Sequence, residues 1–244
     1  PNLAITRGSY ANGIITAAVA ELQQTGIQHP SILMHSKLLY NPQMRSAYNF
    51  VPGVMGLILM LICAMMTSIS IVREKETGTM EILLVSPMNS LFVILSKAVP
   101  YFALSILNLT TILLLSVFVL DVPIAGSLTA LLGVSLIFIF VSLALGLLIS
   151  NVTRTQVAAM LASGMVLMLP TIILSGIIFP IESMPNILQG VSCFIPARWY
   201  VSIVRKIMIE GIPFMYVWKE TAILLFMAIV LIGITTRTFK NRLE

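Results

Sequence analysis

The chain has 244 residues, 58% hydrophobic and 9% charged, with a mean hydropathy of +1.02. Soluble domains are about a quarter charged, so lipid is the main solvent for most of this sequence. The net charge of +5 comes without a block of five like charges or aromatic–basic interleaving, which excludes a nucleic-acid signature, and two isolated cysteines, Cys63 and Cys193, make no disulfide framework.

Residues 1–48 are the part that reads as soluble. Ile14, Ile15, Ala18, Val19 and Leu22 fall at helical spacing, with Gly26 as a stop. Ile32 to Tyr40 is short and strand-like between Pro30 and Pro42. One helix and one strand are too few for a stable fold, so this segment reads as the end of a larger α/β domain that starts before Pro1.

Residues 49–244 read as a transmembrane domain. The first apolar stretch, Phe50–Val72, ends in the charged run Arg73-Glu74-Lys75-Glu76. From there Met80, Leu83 and Leu84 make one apolar face, and Glu74, Thr77 and Glu81 a polar one. Ser86-Pro87 is a stop, so a surface helix is expected over about 74–86, too short to cross a bilayer. It reads either as a docking helix for a cytosolic partner or as an ordinary solvated loop. Four further apolar stretches follow: Ala98–Leu120, Ser127–Ser150, Gln156–Phe179 and Ile212–Thr236. Each exceeds the roughly 20 residues needed to span as helix. The last is the weakest, because Lys219 and Glu220 interrupt it beside Tyr216 and Trp218.

Polar residues inside the spans are few: Asn108, Thr110, Thr111 and Ser116 in the second, Ser135 and Ser142 in the third, Ser163 in the fourth. They read first as helix–helix hydrogen bonding. The absence of ionisable residues deep in the spans argues against a proton relay or ion-coupled carrier. Pro170 is expected to kink the fourth span. Gly133, Gly146 and Gly164 are expected to allow close helix approach. Between the last two spans, Tyr200, Ile203, Val204, Ile207 and Met208 repeat at helical spacing, with Ser202, Arg205, Lys206 and Glu210 facing away. This amphipathic helix over about 197–210 either shapes an outer gate or lies among lipid headgroups.

Loop charge sets the expected orientation. Arg73, Lys75, Lys97, Arg154, Arg237, Lys240 and Arg242 fall on one side, against Arg198, Arg205, Lys206 and Lys219 on the other. The richer side is expected to be cytoplasmic, with residues 1–48 extracytoplasmic and the C-terminus inside. His29 and His35 lack companions at metal-ligand spacing. No G-x-x-x-x-G-K-[ST] phosphate loop, H-E-x-x-H or G-x-S-x-G occurs.

Three segments resemble one family. Residues 73–87, Arg-Glu-Lys-Glu-Thr-Gly-Thr-Met-Glu-Ile-Leu-Leu-Val-Ser-Pro, are similar to the segment after the second span of ABC-2-type transporter permeases, whose pattern is E-R/K-E-x-G-T-x-E-x-L-L-x-(S/T)-P. Leu174-Ser175-Gly176-Ile177-Ile178-Phe179-Pro180-Ile181-Glu182-Ser183-Met184-Pro185 looks like the L-S-G-x-x-F-P-I-E-x-M-P that closes the family's fifth span. Tyr40-Asn41-Pro42 is similar to the Y-N-P that closes the extracytoplasmic domain of the subclass with a large one. One departure is the neutral Met88-Asn89-Ser90-Leu91, where the family often carries a basic residue.

The resemblance implies a polytopic α-helical membrane protein of the ABC-2 exporter (type V) fold. Five of the family's six spans would lie here, with the first span and most of the extracytoplasmic domain before Pro1. It implies the permease subunit of an ATP-driven exporter in the bacterial cytoplasmic membrane. The implied partners are a separate ABC ATPase subunit, which binds ATP and Mg, a second permease protomer in a homo- or heterodimer, membrane lipid, and a periplasmic adaptor. Coupling would fall to Arg73, Glu74, Lys75, Glu76, Thr77, Gly78, Thr79, Glu81, Leu83, Leu84 and Pro87. The outer gate would fall to Ser175, Gly176, Phe179, Pro180, Glu182 and Pro185. A drug-like amphiphile, a lipid and a glycan-related substrate all stay open. So does a mechanotransmission protein that relays ATPase motion to an extracytoplasmic domain without moving substrate.

Overall fold

The computed structural model describes residues 13–15, 17, 46–78 and 90–240. The chain forms two compact units, Pro1–Ser46 and Ala47–Glu244. In the first, residues 13–15 and 17 are helical, at the start of the helix expected there, and Ser46 lies in a turn. The strand expected at 32–40 lies outside the described residues.

Every secondary-structure element among the second unit's described residues is a helix. Its helices are α1 (Ala47–Glu76), α2 (Ser90–Phe118), α3 (Leu128–Val152), α4 (Gln156–Ser163), α5 (Leu169–Leu174), α6 (Asn186–Ser192), α7 (Pro196–Met208) and α8 (Trp218–Lys240). Five spans are long and apolar enough to cross a membrane: Phe50–Glu76, Val99–Phe118, Leu128–Val152, Gln156–Leu174 and Trp218–Thr235. Lipid offers the backbone no hydrogen bonds, so these apolar runs satisfy it internally as helix.

The five expected spans are present with shifted ends. The first continues to Glu76 rather than 72, because charged residues do not break a helix and their long side chains reach the interface. The helix of the second begins at Ser90, so the loop expected up to Lys97 is helical from that point. The third runs from Leu128 to Val152, with Ser127 as its N-cap. The fourth stops at Leu174 rather than 179, because the chain turns at Ser175 and Gly176. The fifth starts at Trp218 rather than 212, after Pro213 opens a separate short 3-10 turn, Phe214–Tyr216.

α1 and α3 form the centre. About half of each is buried by protein, against about a fifth of α2 and α8. The α1–α3 crossing is close at Gly146, where a Cβ would sit 2.4 Å from the Ala64 carbonyl oxygen. Only glycine fits there. Gly133 and Gly164 face open space, so of the three glycines expected at close approaches only Gly146 serves that purpose.

Hydroxyl and thiol side chains link helices inside the bundle. Cys63 Sγ meets Ser105 Oγ at 3.0 Å (α1–α2), and Ser68 Oγ meets Ser163 Oγ at 2.9 Å (α1–α4). Ser135 Oγ meets the Tyr200 hydroxyl at 2.8 Å (α3–α7). Ser142, Thr110 and Thr111 instead donate back to their own helices. Most of the intramembrane hydroxyls are thereby satisfied within the bundle, as buried polar groups require.

The fourth span contains a π-helical segment, Gly164–Met168, between α4 and α5. Pro170 follows it at the start of α5. Proline lacks an N–H and its ring clashes with the carbonyl four residues back. The widened π turn accommodates both defects without ending the span.

Candidate functional site

The charged run Arg73–Glu76 is the last turn of α1, not the start of a separate helix at 74. Thr77 N–H donates to the Arg73 carbonyl at 3.0 Å, and Thr77 Oγ1 caps the same carbonyl at 3.0 Å. Gly78 follows at φ +73°, a left-handed conformation that glycine adopts without strain and that terminates helices. The Thr-Gly pair of the motif is therefore the C-terminal stop of the span. Thr79, Glu81, Leu83, Leu84 and Pro87 lie outside the described residues, as does most of the surface helix expected over 74–86.

At that end of α1 the chain meets the turn between α3 and α4. Lys75 Nζ donates to the Ser150 carbonyl in the last turn of α3. The Glu76 carboxylate accepts from the Gln156 backbone N–H at 2.9 Å and from its side-chain amide at 2.5 Å. Thr155 caps α4, accepting from Ala158 N–H at 3.2 Å. Arg73 and Glu76 are exposed, and Glu74 and Lys75 are half-buried. Asn151, next to Ser150, is buried, and its Nδ2 has no acceptor among the described residues.

The opposite end of the bundle carries the second motif. Ser175 and Gly176 are buried between α5 and α7, whereas Phe179, Glu182 and Pro185 are exposed and Pro180 is half-buried. Arg205 of α7 reaches back and donates to the Gly176 carbonyl at 3.3 Å. Burial acts against the Arg205 charge, while Glu210 and Glu182 support it. Ser175 Oγ and Arg205 Nε are buried without partners among the described residues, so hydrogen bonding here is incomplete in this conformation.

The amphipathic helix expected at 197–210 is α7, Pro196–Met208, and it belongs to the core. Tyr200, Ile203, Val204, Ile207 and Met208 are fully buried. Tyr200 stacks on Phe138 with ring centroids 4.0 Å apart. Its polar face carries Lys206, paired with Glu220 of α8 at 2.5 Å. The headgroup-surface alternative is therefore incorrect for the apolar face of α7: protein covers it, not lipid. α6 and α7 together are bent by 87°, the geometry of a re-entrant or broken segment.

Residues 4–237 match the family described as "ABC-2 family transporter protein". The chain belongs to the ABC-2 family of transporter proteins. It is 38% identical over 216 residues to a protein of Escherichia coli K12 named probable multidrug ABC transporter permease YbhS, covering 88% of this chain and 57% of that one. It is 32% identical over 181 residues to probable multidrug ABC transporter permease YbhR of the same organism, covering 74% of this chain and 49% of that one. Inner membrane transport permease YhhJ is 29% identical over 227 residues, covering 91% of this chain and 58% of that one. The chain thus spans about half the length of these curated relatives. No solved structure matches it.

Two features of this ABC-2 domain have weak signals in the sequence. One is α6, whose seven residues carry no clear period; it is held by Arg198, which donates to the Gln189 carbonyl at 2.8 Å and to Ser192 Oγ at 2.5 Å. The other is the Lys75–Glu76 contact with the 150–156 turn, which joins residues 75 and 80 positions apart. Adjacent opposite charges at a helix end, and the turn residues Thr155-Gln156, were its only trace in the sequence. No cluster of three His, Cys, Asp or Glu able to hold a metal occurs among the described residues.

Proposed function

We propose that this chain is the membrane part of an ATP-driven ABC exporter in the bacterial cytoplasmic membrane. It works as a dimer with a separate ATPase subunit that binds ATP and Mg. The observation that carries the reading is the family match over residues 4–237, together with a charged motif that leaves the membrane at the end of the central helix α1. The end bearing residues 76, 152 and 156 faces the cytoplasm, on the strength of the seven-to-four distribution of basic residues. ATP binding closes the ATPase pair, pushes the segment after Gly78, and tilts the bundles toward an outward-open state. The gate lies at the opposite end, around Ser175, Gly176 and α7.

Two observations support a drug-like amphiphilic substrate. The relatives named above carry multidrug permease names. In addition, Met66 of α1 and Met160, Met165 and Met168 of the fourth span are exposed, and flexible, polarizable methionines suit varied apolar ligands. The test uses the full-length permease and its ATPase in proteoliposomes, with Hoechst 33342 as probe. Leu83→Asp places a charge on the apolar face of the docking segment and is expected to reduce ATP-dependent dye transport at least fivefold while membrane insertion is kept. Wild-type transport in this variant refutes the docking role. ATP hydrolysis without dye movement in the wild type counts against this substrate class and favours a relay to an extracytoplasmic domain.

A further inference from the structure

The geometry points to Lys75 and Glu76 as positioning residues that carry the ATPase stroke into α3 and α4 through the turn at 150–156. This inference rests on the transport reading above and adds a route for the motion.

The two residues are consecutive and grip the two sides of one turn. Lys75 holds a carbonyl at the C-terminus of α3, and Glu76 holds the first amide of α4. The last carbonyls of a helix and its first amides lack partners within the helix and carry opposite partial charges. A cation on the first and an anion on the second is the favourable arrangement for both. The Gln156 side-chain amide adds a second bond to the same carboxylate.

The turn between the two contacts is short, and each side of it is tied to its own helix. Thr153 N–H donates to the Ile149 carbonyl at 3.1 Å, and Ala159 N–H donates to the Thr155 carbonyl at 2.9 Å. Only Arg154 lies between Thr153 and Thr155, so a shift of either helix end passes to the other with little slack. On the α1 side only Thr77 and Gly78 separate the grip from the segment that receives the push. On the α4 side the π segment starts at Gly164, one residue after Ser163, which bonds Ser68. A displacement entering at Gly78 thus reaches the irregular part of the fourth span along α4. The Glu76–Gln156 contact is exposed and adds little to stability, so its geometry matters more for motion than for folding.

Gln156→Glu sets two carboxylates against each other and opens the grip. The variant still folds, because an acidic residue suits the first turn of α4. The double variant Glu76→Gln with Gln156→Glu restores it, since the Gln amide donates to the new carboxylate and its carbonyl accepts the residue-156 N–H. The full-length permease, with Cys193→Ser and a maleimide fluorophore on Arg154→Cys, is reconstituted with its ATPase, and the fluorescence change on adding ATP and vanadate is recorded. Gln156→Glu is expected to reduce the change at least threefold, with ATP hydrolysis and melting temperature close to the parent, and the double variant to restore it to within twofold. An undiminished change in Gln156→Glu, a loss matched by a lower melting temperature, or no recovery in the double variant overturns the grip alone. A parent protein that neither binds the ATPase nor responds to ATP refutes the transport reading itself.

Discussion

Tyr200 is one of the side chains through which α7 joins the core, and a short series of substitutions tests that. It is fully buried, stacked on Phe138 at 4.0 Å, and bonded to Ser135 Oγ at 2.8 Å. Tyr200→Phe keeps the ring and loses one hydrogen bond. Intramembrane bonds between helices average about 0.6 kcal/mol, and Ser135 keeps its bond to the Leu131 carbonyl, so a cost of about 0.5–1 kcal/mol is expected. Ser135→Ala leaves the Tyr200 hydroxyl buried and unpaired, at about 1–3 kcal/mol. Tyr200→Phe with Ser135→Ala removes both partners and is expected to cost less than the sum of the two. Tyr200→Ala also opens a cavity beside Phe138 and costs about 3–5 kcal/mol. The measurement is SDS-titrated unfolding in mixed micelles, followed by the fluorescence of the chain's two tryptophans, Trp199 and Trp218. Additivity of Tyr200→Phe and Ser135→Ala to within about 0.3–0.5 kcal/mol would show that the hydroxyls do not interact. A cost below about 1 kcal/mol for Tyr200→Ala would show that α7 is a surface helix, as an isolated amphipathic pattern suggests.

Gly146→Leu forces α1 and α3 apart at the Ala64 carbonyl and is expected to abolish the folded peak in fluorescence-detected size exclusion. Gly133→Leu, facing open space, should elute as the wild type does. In intact spheroplasts an impermeant maleimide is expected to label Cys193, which is exposed at the end proposed to face outward, and not Cys63, which is buried in α1. Label lost in Cys193→Ser confirms the site, whereas labelling of Cys193 only after the membrane is opened would reverse the proposed orientation.

What the sequence determined by itself was local. Long uncharged stretches become helices because lipid leaves backbone groups no other partner, so the five spans were legible from composition alone. The Thr77-Gly78 stop and the Ser127 and Thr155 caps are also local, each acting within four residues of its own position, yet the helix expected over 74–86 runs straight through Thr77 and Gly78, because helical spacing alone does not reveal a left-handed glycine. What only the tertiary structure decided depends on which surfaces meet. The apolar stripe of α7 is equally compatible with lipid and with a protein groove; the presence of Phe138 and Ser135 opposite Tyr200 settled that it is buried by protein. Three glycines looked alike in sequence, and only the crossing of α1 over α3 singled out Gly146. Likewise Glu76 and Gln156 each satisfy ordinary helix-end preferences, and nothing local announces that they satisfy them for each other. Backbone hydrogen bonds in a helix close over four residues and are written in short stretches of sequence. Side-chain partners between helices are fixed by crossing geometry, to which residues eighty positions apart contribute equally.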